Sequence, residues 1–381
     1  MTGKPLRIVF LGLSLSSSWG NGHATTYRAL IKGLADRGHD VLFLERDTPW
    51  YAEHRDFSRS PDGRLAFYAD LNALRALRNE IVDADAVVVG SYVPDGIAVI
   101  DFVQATARGV TAFYDIDTPI TVEALANGSC SYLSAEQVAR FDLYLSFTGG
   151  PTLDRLEREF AARAARALYC SVDPTLYVPV DAAHRWDLSY LGTYAPDRQP
   201  VLERLLIEPA RRAPHLRFVV AGAQYPRDIV WPDNIERIEH VPPSDHARFY
   251  GQSRATLNAT RADMTRAGWS PSVRLFEAAA CATAIISDSW LGLHAILEPG
   301  RDIHVAHTAD DVLDPLQDWP SLRLREMARC GRARVLAEHT ATHRAQELEK
   351  YIRQAGQTSA HANFLSSEIS RRTLRSGCNL L

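Results

Sequence analysis

The alternation of short apolar runs with helical patterns constrains the fold of this sequence more than any other feature. Apolar runs bounded by turn signals predict buried strands, and the amphipathic segments between them predict helices. In the first part of the chain these are the strands Arg7–Leu13, Val41–Glu45, Ala86–Gly90, Val110–Tyr114 and Leu143–Phe147 and the helices Ala24–Arg37, Gly96–Ala107 and Thr152–Ala165. Strands that alternate with helices predict a parallel α/β sheet covered on both faces.

A second alternating series follows a stretch with little periodicity. That stretch contains Pro174 and Pro179 and predicts a connection between two domains. The second series predicts the strands Leu188–Leu191, Phe218–Ala221, Arg237–His240, Ala255–Leu257 and Ala284–Ser287, closed by the helical pattern Leu322–Tyr351. The chain therefore predicts two Rossmann-like, doubly wound domains facing a cleft, where the carboxyl ends of the strands would hold a ligand.

The predicted parts have the following limits. Residues 1–172 form the first domain, 173–186 the connection, 187–338 the second domain, 339–355 a helix that packs back on the first domain, and 356–381 a flexible tail. The tail is assigned from its Ser/Arg-rich composition, which lacks periodicity.

Composition excludes several classes of partner and location. A net charge of −4 does not favour general attraction to nucleic acid or to an anionic membrane. The five cysteines are odd in number and form no CxxC pair, which favours a reducing, cytoplasmic location and argues against structural zinc. The apolar run Ile8–Leu15 is far shorter than a membrane-spanning helix. The only lysines are Lys4, Lys32 and Lys350, so arginines and backbone amides would have to bind any phosphate.

The segment 268–288 has the pattern of a helix start that binds an anion. Ser270 suits the N-cap and Pro271 the first helical position. Glu277 lies on the same face, one turn further, where a carboxylate would accept hydrogen bonds from a ribose. The pattern predicts a nucleotide-sugar site, and the alternative is an ordinary capped helix with a Glu277–Arg274 ion pair. The amides expected to face the phosphate are those of Ser272, Val273 and Arg274.

The loop 16–23 follows the first predicted strand and precedes a helix. Gly20 and Gly22 would let the backbone pass close to a ligand, and Gly22 is assigned to the donor site. The loop lacks G-x-G-x-x-G, which makes NAD binding a weak hypothesis, although Glu45 stands where a dinucleotide fold places its ribose acid. His23 is a candidate general base, with a purely structural role as the alternative.

Asp115 and Asp117 end a buried strand. Alternation along a strand would place both carboxylates on one face. We predict that Asp117 activates or orients an acceptor, with Asp115 beside it; the alternatives are a divalent metal site and a helix cap by Asp117 near Thr121.

Polar residues at the ends of second-domain strands complete the predicted site. Asn258 and Arg261 follow one strand, and His240 ends another; all three are assigned to the donor. Arg261 is expected to bind the diphosphate because a guanidinium binds phosphate in bidentate fashion. A surface ion pair with Asp263 is the alternative. Trp269 is expected to touch the sugar.

Several segments together resemble the GT-B glycosyltransferases, and among them the branch typified by the spore-maturation protein CgeB. The resemblance covers roughly residues 5–355. It rests on Trp19–Arg28, Tyr114–Pro119, Leu145–Gly150, Tyr190–Tyr194, Leu257–Arg261 and Ser270–Asp288.

The resemblance also assigns residues, with two departures. In retaining relatives two acids seven positions apart flank the donor; the second corresponds to Glu277, whereas the first would fall at Trp269. Of the phosphate-binding Arg and Lys that follow the first strand of the second domain, only one basic residue is present, Arg198. The missing charge is expected from Arg261 or Arg274.

The sequence thus predicts a metal-independent glycosyltransferase without a cofactor. Its donor would be a nucleoside-diphosphate sugar, UDP or dTDP being favoured, bound by the second domain, and its acceptor a small molecule or glycan bound by the first. The alternatives are a nucleotide-sugar epimerase of the same architecture and a non-catalytic nucleotide-sugar-binding protein. A phosphorylase with a pyridoxal-phosphate lysine is excluded because no lysine lies between Lys32 and Lys350. The sequence does not indicate an oligomeric state.

Overall fold

The first sheet contains seven parallel strands. A computed structural model describes residues 3–20 and 22–358 of the chain. The strand order is β3-β2-β1-β4-β5-β6-β7. The strands are β1 (Arg7–Gly12), β2 (Asp40–Arg46), β3 (Arg64–Tyr68), β4 (Ala86–Gly90), β5 (Val110–Asp115), β6 (Leu143–Ser146) and β7 (Ala165–Ala167).

The second sheet contains six parallel strands in the order β10-β9-β8-β11-β12-β13. These strands are β8 (Trp186–Leu191), β9 (Phe218–Ala221), β10 (Ile235–Ile238), β11 (Ser253–Asn258), β12 (Ala284–Ser287) and β13 (His304–Val305). The predicted α/β class with two parallel, Rossmann-like sheets is confirmed.

Helices cover both faces of each sheet. Those of the first half are α1 (His23–Asp36), α2 (Pro49–Ala52), α3 (Leu71–Ala76), α4 (Arg78–Val82), α5 (Gly96–Thr106), α6 (Thr118–Ala126), α7 (Ala135–Val138) and α8 (Pro151–Glu159). Those of the second half are α9 (Gln199–Leu202), a π-helical turn (Glu203–Ile207), α10 (Glu208–Arg212), α11 (Pro243–Gly251), α12 (Ala262–Ala267), α13 (Val273–Ala280), α14 (Leu293–Ile296), α15 (Ala309–Gln317), α16 (Ser321–Glu338) and α17 (341–358). Within the described part of the chain, no helix has both the length and the apolar character needed to cross a lipid bilayer.

Three short strands were missed from the sequence, and some boundaries differ. All three lie at the edge of a sheet; β7 and β13 have only three and two residues, and in β3 only Tyr68 is buried. The predicted helix Thr152–Ala165 is wrong at its end, because α8 stops at Glu159 and Ala161 adopts a positive φ of 55° before β7 begins. Strand β10 begins two residues earlier than predicted.

The predicted helix Leu322–Tyr351 is in fact two helices, α16 and α17. The chain is extended at Thr340, which forms an isolated parallel bridge with Val172. The amide of Ala341 donates to the Val172 carbonyl at 2.8 Å. The two passages of the chain from one domain to the other are therefore hydrogen-bonded side by side.

Helix α17 packs on the first sheet. Its Ala345, Leu348 and Ile352 belong to the apolar core around β1 and α1. A Cβ at Gly33 of α1 would lie 2.4 Å from the Ala341 carbonyl oxygen, so only glycine permits this close approach. Residues 356–358, which were expected in the tail, belong to α17, and the remainder of the predicted tail lies outside the described residues.

Each sheet has a point where the strand order reverses. In the first sheet β1 lies between β2 and β4, and in the second β8 lies between β9 and β11. The loops after such neighbouring strands diverge and leave a crevice at their carboxyl ends, which is where open α/β sheets bind ligands. The two crevices of this chain open into one cleft.

Candidate active site

The cleft between the domains has a cavity volume of about 560 Å³. This lies within the roughly 300–1,000 Å³ of a typical small-ligand pocket. Predicted site residues that line it come from both domains: Gly22, His23, Asp117, Arg198, His240, Arg261, Ser272, Val273, Arg274 and Glu277.

Helix α13 starts at Val273, two residues later than predicted. Its N-cap is Ser272, which has extended dihedrals, so the assignment of Ser270 as N-cap and Pro271 as first helical residue is wrong. The Ser270 hydroxyl instead donates to the Gly268 carbonyl at 2.8 Å. The start of α13 still faces the cleft, and the first amides of a helix have no partner within it. The helix start is thus suited to an anion, with the amides of Val273 and Arg274 foremost.

Glu277 lies on the cleft wall, one turn into α13. The hydroxyls of Tyr177 and Tyr250 donate to its two carboxylate oxygens at 2.9 and 3.1 Å. His246 Nδ1 lies 3.5 Å from Oε2. Burial disfavours the charge, but His246 and the two hydroxyls outweigh burial, and the pKa of Glu277 lies below its ordinary value. A carboxylate has about four acceptor positions, so a charged Glu277 can still accept from two ribose hydroxyls.

Sequence reasoning missed the three residues that hold Glu277. His246 is on α11, Tyr250 is one turn further on the same helix, and Tyr177 is in the connection between the domains. The spacing of His246 and Tyr250 was a usable signal, because residues four apart lie on one helix face. Nothing in the sequence pairs Tyr177 with Glu277, which is 100 residues distant.

Arg198 and Arg261 enter the cleft beside the start of α13. The Arg198 guanidinium donates to the Tyr190 hydroxyl at 2.9 Å, and its Nε is buried with no hydrogen-bond partner among the described residues. Arg261 Nε donates to Asp197 at 3.1 Å, so the alternative pair of Arg261 with Asp263 is wrong. A buried donor without a partner is costly, and an anion at this place would provide one.

Arg274 and Asn258 form the support of the site. Arg274 donates to the Leu191 carbonyl at 2.6 Å and to Asn258 Oδ1 at 3.0 Å, which joins the ends of β8 and β11. The Ser272 hydroxyl also donates to Asn258 Oδ1, at 2.7 Å. Asn258 is buried and does not line the cleft, so its assignment as a donor contact is wrong: its side chain is consumed in positioning Ser272 and Arg274.

The glycine-containing loop after β1 is held by Glu45. The buried Glu45 carboxylate accepts from the amides of Leu15 and Ser16 at 2.7 and 2.9 Å and from two serine hydroxyls. It is therefore unavailable to a dinucleotide ribose. The loop delivers Gly22 to the cleft as the N-cap of α1, 3.9 Å from Val273 when measured from a Cβ built on Gly22.

His23 and Asp117, predicted as competing bases, form a pair. His23 Nε2 lies 3.5 Å from Asp117 Oδ2, and both line the cleft on the side of the first domain. His23 Nδ1 is buried without a hydrogen-bond partner among the described residues. Tyr92, in the left-handed region with φ 62°, holds its ring edge-on at 5.6 Å from the imidazole. The pair offers a proton acceptor on the wall that the first domain contributes to the cleft.

Asp115 does not accompany Asp117 in the cleft, so its assignment as a catalytic residue is wrong. Its fully buried carboxylate accepts from the Tyr144 hydroxyl at 2.6 Å and the Thr121 hydroxyl at 2.8 Å. Burial raises the pKa of Asp115 to about 6, although these hydroxyls favour its charged form. The chain leaves extended geometry after β5, with Asp117 at φ −135° and ψ 42°, so strand alternation does not reach Asp117.

Trp269 is also outside the cleft, and its expected sugar contact is wrong. It has a positive φ of 45°, and its indole packs against Gly150 and Gly292, whose added Cβ atoms would lie 2.6 and 2.4 Å from the ring. Its carbonyl accepts from the Gly149 amide at 2.9 Å. Trp269 therefore joins the two domains behind the site.

His240 reaches the cleft through an aromatic contact between the domains. Its ring centroid lies 4.6 Å from that of Trp19, which stacks on His54 at the same distance. Burial lowers the pKa of His240 and so favours its neutral form. Among the described residues, no group of three or more His, Cys, Asp or Glu side chains is placed to hold a metal ion.

Comparison with protein families identifies the part of the chain that carries Arg198, Arg261 and helix α13. The family model described as Glycosyl transferase-like matches residues 198–350. These residues form a glycosyltransferase domain. The predicted enzyme class is thereby confirmed, while the CgeB-like branch is not distinguished. No curated protein matches the sequence.

Solved structures confirm the GT-B architecture of the glycosyltransferase. Sucrose-phosphate synthase from Thermosynechococcus elongatus superposes with a TM-score of 0.66 at 15% identity, over 91% of this chain and 98% of that one. Anabaena Alr3699/HepE in complex with UDP and glucose superposes with a TM-score of 0.66 at 12% identity, over 92% of this chain and 100% of that one. An α-glucosyltransferase in complex with UDP-glucose and DNA containing an abasic site superposes with a TM-score of 0.68 at 12% identity, over 91% of this chain and 99% of that one. At these identities the likeness shows the fold.

Proposed function

We propose that this protein transfers a glycosyl group from a nucleoside-diphosphate sugar to a small-molecule or glycan acceptor, without a metal ion. One observation carries the proposal: the start of α13, flanked by Arg198 and Arg261, faces the His23–Asp117 pair across a single cleft. A helix start that binds the leaving diphosphate and a proton acceptor for the incoming hydroxyl are the groups that direct displacement at the anomeric carbon uses.

The second domain would bind the ribose and the diphosphate of the donor. Glu277 accepts hydrogen bonds from the ribose, and the amides of Val273 and Arg274 bind the diphosphate together with Arg198 and Arg261. When the glycosidic bond breaks, negative charge accumulates on the departing diphosphate. Fixed amides and guanidinium groups stabilise that charge without reorganisation, which is the largest contribution in many enzymes.

The first domain would bind the acceptor. Asp117 takes the proton of the acceptor hydroxyl or orients it as the new bond to the anomeric carbon forms, and His23 is the competing base. Asp117 keeps 20% of its side chain exposed, so an acceptor can reach it.

The donor nucleotide is proposed to be UDP or dTDP. Two solved structures of the same fold were determined with UDP or UDP-glucose, which supports UDP as the first ligand to test. Further proposals are the CgeB-like branch, on the sequence segments given above, and a cytoplasmic location, supported by the free thiols of Cys130, Cys170, Cys281 and Cys330.

The test is a thermal-shift screen with UDP, dTDP, GDP and ADP sugars, followed by product analysis without and with candidate acceptors. Binding raises the melting temperature, because the ligand stabilises only the folded state. We expect release of free sugar and nucleoside diphosphate in the absence of acceptor, unchanged by EDTA. Binding without release would indicate a non-catalytic binding protein, an isomerised sugar nucleotide would indicate an epimerase, and loss in EDTA restored by Mn²⁺ would indicate a metal site. Duplex DNA is the negative control among the acceptors, because the net charge of −4 does not favour its binding.

A further inference from the structure

The turn that carries Asp117 is held by the carboxylate of Asp115. Asp115 Oδ1 accepts from the Asp117 amide at 3.1 Å, a hydrogen bond between residues two apart that closes an Asx turn. The same oxygen accepts from the Thr121 hydroxyl at 2.8 Å, and Oδ2 accepts from the Tyr144 hydroxyl at 2.6 Å. The Asp115 carboxylate therefore ties the end of β5 to the first turn of α6 and to β6.

The Asx turn accounts for the direction of the Asp117 side chain. Asp117 is the N-cap residue of α6, and a capping aspartate ordinarily accepts from an amide in the first turn of its own helix. In the described structure of α6 the Asp117 side chain accepts no such bond, so the alternative role as a helix cap is wrong. Its amide is bonded to Asp115 instead, and its Oδ2 lies 3.5 Å from His23 Nε2. The carboxylate is thereby kept in the cleft.

Other hydrogen bonds of this turn do not depend on a titrating group. The Ile116 amide donates to Ser91 Oγ at 3.1 Å, and the Thr118 hydroxyl donates to the backbone carbonyl of Asp115 at 3.0 Å. Both acceptors are neutral at every pH at which the protein is folded. The bond at the Asp117 amide is different, because its strength depends on the charge of the Asp115 carboxylate.

The charge of Asp115 is buried among neutral donors. The residue is 0% exposed, and burial raises its pKa to about 6, although its hydrogen bonds favour the charged form. The charge of Asp117 also disfavours that of Asp115. Burial raises the pKa of every other titratable group that interacts with Asp115, so these groups are neutral near pH 6: Tyr27 on α1, Tyr92 after β4, Cys130 and Tyr132 after α6, and Tyr144 on β6.

We propose that Asp115 is a positioning residue for the base: its ionised carboxylate holds Asp117 beside His23 and the acceptor, and its protonation releases that hold. The inference rests on the proposed function. A protonated Asp115 is a weaker acceptor for the Asp117 amide, because hydrogen bonds to charged groups are about twice as strong as those between neutral groups. Asp117 can then turn to cap α6, which withdraws it from the acceptor. Transfer should fall as the pH falls through the pKa of Asp115.

The experiment measures kcat and KM against pH on the full-length protein and on Asp115→Asn. The substrate is the nucleoside-diphosphate glucose that binds most tightly in the thermal-shift screen, with water as the acceptor. In the wild type we expect kcat to fall below about pH 6. The variant is uncharged at every pH, so its kcat should show no fall near pH 6 and should be about tenfold lower at neutral pH. Its donor KM should equal that of the wild type, because Asp115 does not line the cleft.

Two tyrosine variants form a matched pair that tests the same titration with Asp115 in place. Tyr144→Phe deletes a hydrogen bond that favours the charged form of Asp115, so the fall in kcat should move to higher pH. Tyr114→Phe deletes a hydroxyl that is equally buried but donates to the Leu168 carbonyl at 3.1 Å, and its profile should match that of the wild type. Melting temperatures verify the fold of each variant, and the tyrosine pair decides the question by itself if Asp115→Asn does not fold.

Three results would overturn the inference and leave the proposed function standing. A fall near pH 6 that persists in a folded Asp115→Asn would belong to another group, such as His23. A fall that stays at the same pH in Tyr144→Phe would mean that the charge of Asp115 does not control turnover. A raised donor KM with unchanged kcat in Asp115→Asn would mean that the residue acts on donor binding. If the wild type releases sugar from no donor, the inference and the proposed function fail together.

Discussion

Replacing Glu277 by Gln tests the donor-side assignment, because it keeps the volume and removes the charge. The carboxylate is 3% exposed and already accepts from Tyr177 and Tyr250, so ribose hydroxyls would use its remaining acceptor positions. A hydrogen bond to a charged group contributes about 1.5–3 kcal/mol, against about 0.5–1.5 kcal/mol for a neutral one. We therefore expect Glu277→Gln to weaken nucleoside-diphosphate binding by about 1–3 kcal/mol, a 5- to 150-fold rise in Kd.

The assay is isothermal titration with the nucleoside diphosphate and with its 3′-deoxy analogue, on the wild type and on the variant. A ribose contact predicts that the wild type loses affinity for the 3′-deoxy analogue and that the variant loses much less. Glu349→Gln is the matched control. Glu349 is another buried carboxylate, on α17, and it accepts hydrogen bonds from Arg37 and Arg353. It does not line the cleft.

Two results would refute the reasoning about Glu277. An unchanged affinity in a folded Glu277→Gln would remove the residue from the site. An equal loss for both nucleotides would mean that the carboxylate acts by holding Tyr177 and Tyr250 in place and makes no ribose contact.

Three further predictions address phosphate binding, proton transfer and acid stability. Arg261→Gln should weaken nucleoside-diphosphate binding at least tenfold more than nucleoside binding, whereas the exposed Arg266→Gln should affect neither; equal losses for both ligands would argue against a phosphate contact. Asp117→Asn should keep nucleotide binding and lower transfer by about 10²–10⁴-fold, and full transfer alongside an inactive, donor-binding His23→Ala would assign the base to His23. Burial and nearby cations lower the pKa of His339 to about 3. Between pH 6.5 and pH 3 the unfolded chain protonates His339 and the folded protein does not. The stability of the folded protein is therefore unaffected by His339 above pH 6.5 and is lowered by it as the pH falls toward 3. In urea unfolding, the free energy of unfolding should fall between pH 6.5 and pH 4 in the wild type, and it should fall less in His339→Gln. An equal fall in both proteins would contradict this pKa.

The pattern of apolar runs determined the two-sheet fold, because a strand buried on both faces must be apolar whatever its neighbours. Strands β4, β9 and β12 occur at their predicted limits for this reason. Two alternating series in one chain also predicted a cleft between two domains, whereas the reversals of strand order that locate it were seen only in the structure. Glu277 could be placed because helix spacing is local.

Which polar side chains face the cleft was decided only by tertiary structure. Asp115 and Asp117 are two residues apart, yet one is buried under Tyr144 and the other pairs with His23, because the strand ends between them. Trp269 is turned away by its positive φ and by two glycines distant in sequence. The pairing of His23 with Asp117 brings together residues 94 positions apart. Local sequence encodes backbone periodicity, whereas the direction of a side chain at the end of a strand depends on partners that only the folded chain brings near.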